Sequence, residues 1–176
     1  MKGDRGGETF RGIARNIWGS WPGWSLIDGV KKAGMVTAKA IDQYFLNDPN
    51  MAALVADFYR QNFWRPFEGL ALPGRVMAKL FDTAINMGHK PVVKFLQESL
   101  NALNPAGPRL SVDGIIGAGT RAAAASVFAD PSREGPFLNL FCGRQEAYYR
   151  GIVARRPGQA KFLKGWLRRA AWQPAR

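Results

Sequence analysis

From Lys31 to the carboxy terminus, apolar residues recur at intervals of three and four and never settle into the alternation of a half-buried strand. That period lays one apolar stripe along each helix, and such stripes are buried by packing helices against one another. An all-α fold is therefore expected. Proline and glycine cut the pattern into segments. Asn50 or Asp48 can cap a helix that carries Met51, Leu54, Val55 and Phe58 on one face. Another begins near Pro73 with Val76, Leu80, Ala84 and Met87 inward, and Gly88 is its stop. Pro91 suits the first turn of the next, whose face is Val92, Phe95, Leu96 and Leu103. Further helices are expected over Thr120 to Phe128 and from about Pro136, the latter with Phe137, Leu140, Phe141, Tyr148 and Ile152 inward. A last amphipathic helix turns Phe162, Leu163, Trp166 and Ala170 to the core.

Two stretches escape the pattern. Asn104 to Gly119 is broken by proline and glycine, yet Leu110, Val112, Ile115 and Ile116 offer it apolar anchors, so a structured loop is expected. Residues 1 to 30 are rich in glycine and tryptophan, with Trp18, Trp21 and Trp24 in W-G-S-W-P-G-W and a turn at Pro22 and Gly23. Those rings either line a groove for sugar or peptide or form a packed loop over the core. A chain of 176 residues, 47% of them hydrophobic, has the material for one domain, or for a small domain with a packed appendage.

Charge narrows the partners. With 25 Lys and Arg against 13 Asp and Glu the net charge is +12, which attracts nucleic acid, anionic lipid or an acidic wall polymer alike. The last 36 residues hold nine basic side chains against Glu146 alone, giving either a face for a polyanion or a solvated helix surface. No DNA-reading helix or single-strand motif accompanies the charge, so no specific nucleic-acid partner is expected. The segment from Met1 to Gly12 carries charge where a signal peptide is apolar, and no stretch of about 18 residues is uniformly apolar. Synthesis in the cytoplasm without a cleaved signal is the expectation.

The chemistry available is also limited. One cysteine, Cys142, and one histidine, His89, make neither a disulfide nor a metal cluster of recognised spacing. Neither D-R-G-G-E-T nor D-G-I-I-G-A-G-T has the glycine and lysine arrangement of a phosphate loop. Cys142 lies among Leu140, Phe141 and Gly143 as a small core residue would, and His89 has no nucleophile setting beside it. Carboxylates remain as acid and base candidates. Asp4 and Glu8 flank a glycine pair, while Asp82 and Asn86, four apart, share a helix face.

Asp4 to Ile13, Tyr59 to Trp64, Leu72 to Gly88 and Leu96 to Asn101, with D-x-G-G-x-T and F-D-x-A-x-N-x-G in that order, resemble glycoside hydrolase family 108. Val112 to Thr120, Arg144 to Tyr149 and Phe162 to Trp166 resemble the peptidoglycan-binding region that follows it in that family. The resemblance implies a lysozyme-like helical fold, with a muramidase region over residues 1–90 and a helical wall-binding region over 91–176. It implies hydrolysis between N-acetylmuramic acid and N-acetylglucosamine in bacterial peptidoglycan, as in phage endolysins, with no metal or organic cofactor. A protonated carboxyl would donate to the glycosidic oxygen. The family places that glutamate in an E-G-G segment upstream of D-x-G-G-x-T, and no residue here matches it; Glu8, inside the later motif, is the substitute candidate. Asp4, Thr9, Tyr59, Trp64, Asp82 and Asn86 are the candidate substrate-binding residues. The alternative is a peptidoglycan-binding or regulatory remnant without hydrolysis. An apolar groove left open by a lost first helix would favour a homo-oligomer. Action at the cell wall after phage-type release completes the expectation.

Overall fold

The computed structural model describes residues 7–175, so Asp4 lies outside the described residues. Among these are eight α-helices: α1 (Gly23–Lys32), α2 (Ala38–Tyr44), α3 (Pro49–Tyr59), α4 (Gly74–Met87), α5 (His89–Leu103), α6 (Ala118–Phe128), α7 (Glu134–Arg155) and α8 (Ala160–Ala171). A single two-stranded sheet joins β1 (Thr9–Phe10) to β2 (Ile13–Ala14). The fold is all-α and lysozyme-like. The chain forms two compact units, Met1–Asn62 and Phe63–Arg176.

In the first unit β1 and β2 pair antiparallel, Thr9 opposite Ala14 and Phe10 opposite Ile13. The turn between them is Arg11 and Gly12, both left-handed with φ of 45° and 85°, and a turn of that hand matches the twist of a hairpin. The Tyr59 hydroxyl donates to the Arg11 carbonyl at 2.8 Å and lies where a Cβ on Gly12 would stand, 2.4 Å away. Strands of two residues are too short to display a period of two, so the sequence pattern did not announce this hairpin. Its buried residues, Phe10 and Ile13, enter the core with Trp21, Trp24, Ile27, Ile41, Phe45, Met51 and Phe58. The expectation that helix begins near Lys31 is corrected by α1, which starts at Gly23, directly after the turn-forming Pro22. Tryptophan and glycine are poor helix formers, and burial of Trp24 and Ile27 outweighs that propensity. Asp48 is the cap of α3, accepting the Met51 N–H at 2.6 Å.

The second unit packs α4, α5, α6 and α7 around Leu80, Val92, Leu96, Leu100, Phe137, Leu138 and Phe141, each at most 1% exposed. Burial of such side chains stabilises by about 1.5–3 kcal/mol each. Gly88 ends α4 at φ 76°, and Pro91 lies in the first turn of α5. Helix α8 departs from expectation, because Phe162 is 47% exposed and only Ala170 is fully buried. Phe162 instead stacks on Trp166 at 5.8 Å, and Trp166 on Tyr149 at 5.2 Å, so these rings form a ladder leading out from α7. What seats α8 is Lys79 of α4. Fully buried, its ammonium donates to the carbonyls of Arg169, Ala170 and Trp172 at 3.0, 3.0 and 2.7 Å, which are the acceptors a helix end leaves open.

The loop from Asn104 is ordered; of the expected anchors Leu110 and Ile116 pack against the core while Val112 and Ile115 are exposed, and polar side chains add to the hold. Asn101 holds both backbone groups of Leu110, at 3.0 and 2.8 Å. Buried Gln97 donates to Asp113 Oδ1 at 2.8 Å and to the Ile115 carbonyl at 3.0 Å, and its Oε1 accepts the Gly114 N–H at 3.0 Å. A buried amide satisfied at both ends helps to fix such a loop. The bond from Gln97, with the Ile115 N–H next, holds the Asp113 carboxyl below its ordinary value of 3.8. A carboxyl lowered on folding contributes stability that is full above pH 3.8 and is lost as pH falls through the folded value. Urea melts of the native chain and Asp113→Asn should therefore differ in slope across this acid range, the variant being flatter; parallel curves would contradict the assignment.

Candidate functional site

The D-x-G-G-x-T segment leads into β1, and the hairpin, α1 and α2 enclose a depression of about 540 Å³. Its polar lining is Glu8, Thr9, Arg11 and Asp42, and its apolar lining includes Phe10, Ile27 and Ile41. Open, mixed lining of this kind suits a hydroxylated ligand better than a purely apolar one.

Glu8 is held by cations on both carboxylate oxygens. Arg15 Nε stands 2.8 Å from Oε2 and Lys31 Nζ 2.5 Å from Oε1. Arg15 reaches further to α1, donating from both terminal nitrogens to Asp28 at 3.0 and 2.7 Å, while its guanidinium lies 4.3 Å over the Trp24 ring. Those hydrogen bonds hold the Asp28 carboxyl below its usual value. The network ties the hairpin to α1. A general acid has to present a proton on an oxygen facing the leaving group. Glu8 presents one oxygen that accepts from Lys31 and another ion-paired with Arg15, an arrangement the sequence spacing did not reveal.

Asp42 and Arg11 are residues that the sequence reading missed. Arg11 Nε pairs with Asp42 Oδ1 at 3.2 Å, and its Nη2 donates to the Phe45 carbonyl at 2.9 Å. Asp42 is an exposed polar position on a short helix, a pattern that looks solvated, and only the tertiary fold brings it beside the hairpin. Thr9, exposed on β1, donates through Oγ1 to the Gly7 carbonyl at 3.3 Å. Tyr59 sits beneath the turn rather than along the depression, and burial pushes its hydroxyl pKa up.

A second depression in this unit, about 260 Å³, combines the rings of Trp18, Trp21 and Phe58 with Ser20, Asp57, Gln61 and Asn62. Trp21 and Trp24 of W-G-S-W-P-G-W pack as the loop reading expects, while Trp18 and Trp21 line this depression. Trp21 and Trp24 are buried, 5.3 Å apart edge to face, whereas half-buried Trp18 borders the depression.

The remaining candidates belong to the second unit. Trp64 packs edge-on against Phe81 at 5.6 Å. Asp82 faces Arg169 at 3.5 Å, and Asn86 donates to the backbone carbonyl of Asp82 at 2.7 Å, so the pair share a face without joining side chains. His89 stacks on Phe63 at 5.9 Å, and burial lowers its pKa, while burial raises that of the Cys142 thiol. Both behave as packing residues. Among the described residues no three His, Cys, Asp or Glu gather to hold a metal ion, and no helix is long and apolar enough to cross a membrane.

Comparison with known families assigns the same two stretches. The description "Glycosyl hydrolase 108" matches residues 1–88, and "Predicted Peptidoglycan domain" matches residues 91–171. Together they define a cell-wall protein, hydrolase or binder, whose partner is peptidoglycan. The chain belongs to glycoside hydrolase family 108. Comparison with curated proteins and with solved structures gave no match. The two matches meet between residues 88 and 91, whereas the compact units divide at 62 and 63, so α4 belongs to the hydrolase match but packs with α5 to α8.

Proposed function

We propose that this chain is an endolysin-like muramidase that hydrolyses the bond between N-acetylmuramic acid and N-acetylglucosamine. The observation that carries this reading is the hydrolase-family match over the residues that build the hairpin depression. In it the glycan strand lies along Thr9 and Asp42, and the tryptophan-lined depression takes a neighbouring sugar against an aromatic face. Trp64, Asp82 and Asn86 act as structural supports of the second unit, since each is engaged with a neighbour there. The +12 net charge draws the protein to an anionic wall after a phage-type release.

Glu8 acts through position rather than as the proton donor, because its oxygens are occupied by Arg15 and Lys31. Glu8→Gln keeps one acceptor and should lower the release of fragments ending in reducing N-acetylmuramic acid by about tenfold, equal to roughly 1.4 kcal/mol. The measurement is mass spectrometry of fragments freed from purified peptidoglycan across a pH series. A loss of about 10²-fold or more, with the pH profile of the native chain altered and the variant folded, would make Glu8 the donor instead.

A second reading, wall binding without hydrolysis, is favoured by one observation: both carboxylates lining the hairpin depression are ion-paired. Retention of the folded chain on insoluble peptidoglycan with no fragment released would support it over the first.

A further inference from the structure

The second unit carries a depression of about 480 Å³ between the loop that follows α5 and the outer face of α6. Its volume falls in the range of small-ligand sites, about 300–1,000 Å³. The lining differs in kind from the two depressions of the first unit. Leu110, Ala122 and Ala123 provide its apolar surface, and no aromatic ring and no Asp or Glu contributes to it. A sugar usually rests on an aromatic platform, and this surface offers none; its polar groups are Asn104, Ser111, Ser126 and Arg109. Its shape suits small alkyl groups.

Arg109 supplies the charge. It lies on the wall shared with a smaller neighbouring depression of about 250 Å³, which also holds Arg144 and Glu98. Arg144 is paired with Glu98 at 3.0 Å. Arg109 is exposed and has no carboxylate or hydrogen-bond partner among the described residues. The site thus joins an apolar floor for small side chains to a guanidinium free to take a carboxylate through two parallel bonds. Gln97 and Asn101 hold the loop that presents Leu110 and Arg109, so the site is fixed before a ligand arrives.

We propose that this depression binds the peptide arm of peptidoglycan, with the terminal carboxylate on Arg109 and the alanine methyl groups against Leu110, Ala122 and Ala123. The inference rests on the assignment of peptidoglycan as partner, and every residue used lies inside the peptidoglycan-domain match at 91–171. It adds which chemical part of the wall this unit reads: short peptide, not glycan.

The test is titration of the full chain, by calorimetry and amide NMR, with synthetic L-Ala-γ-D-Glu-L-Lys-D-Ala-D-Ala, its carboxy-terminal amide, and chitotetraose. The free peptide should bind and shift amides of the 104–111 loop and α6. The amide form should bind at least about tenfold more weakly, as should Arg109→Gln and Ala122→Trp toward the free peptide. Ala122 is exposed, so its replacement fills the depression without entering the core. Peptide binding that is unchanged in Ala122→Trp, or equal for acid and amide, would overturn the proposal. So would chitotetraose shifting the same amides in place of the peptide. Retention of the chain on intact peptidoglycan with no peptide binding would overturn this site while leaving the wall-binding reading in place; failure to bind either would remove both.

Discussion

Lys79→Ala is expected to destabilise the second unit by about 3–5 kcal/mol. Two losses add. The Lys79 side chain is fully buried, so truncation leaves a cavity, and three carbonyls at the end of α8 lose the ammonium as a donor, that of Ala170 in a fully buried position. Burial, with a smaller push from the Arg169 charge, lowers the Lys79 pKa, which is the cost of holding an ammonium there; the bonds to Arg169, Ala170 and Trp172 offset it. Lys79→Met separates the terms, since it refills the space and restores none of the bonds. It should cost about 2–3 kcal/mol, less than alanine but well above an exposed substitution. Urea denaturation followed by tryptophan fluorescence gives both numbers. If Lys79→Met proved neutral, the seating of α8 would have to come from the Phe162, Trp166 and Tyr149 stack instead.

Gly12→Ala should damage the hairpin and, with it, any activity of the depression the hairpin borders. At φ 85° an L side chain costs about 1–2 kcal/mol. The new methyl would also stand 2.4 Å from the Tyr59 hydroxyl, so the ring must move and its bond to the Arg11 carbonyl is lost, adding about 1 kcal/mol. The next ring atom is 3.8 Å from that methyl, an ordinary contact. Removing the hydroxyl therefore removes the collision. In a Tyr59→Phe background the same Gly12→Ala change should cost about 1 kcal/mol less than in the native chain, a coupling that a double-mutant cycle measures directly. Additive effects would show that the hydroxyl is not what confines residue 12. Fragment release from peptidoglycan should fall in Gly12→Ala by more than in Tyr59→Phe, because the turn carries Arg11, the partner of Asp42.

Helix periods from Met51 onward were legible because the stripes are long. Met51 and Phe58, Val76 and Leu80, Val92 and Leu96 all face cores. Terminators were legible for the same local reason, as with Asp48 capping α3 and Gly88 closing α4. The motif order carried the family, which the match over residues 1–88 bears out. The reading failed where local and tertiary preferences part. Helix α1 forms from residues with weak helical propensity, held by two buried side chains, Trp24 and Ile27. Phe162, at an apolar position, is exposed and stacks on Trp166 of its own helix.

The sequence alone determined that the chain is all-α, strongly basic and a member of its family, because hydrophobic period, composition and motif order are properties of the string of residues. Tertiary structure decided what each polar side chain does. Glu8 became a tie between hairpin and α1, Asp42 entered the depression, Lys79 became the seat of α8, and Arg109 was left without a partner among the described residues. A carboxylate or cation acquires its role from the charges and carbonyls within a few ångströms, and residues separated by tens of positions supply those only after the chain has folded.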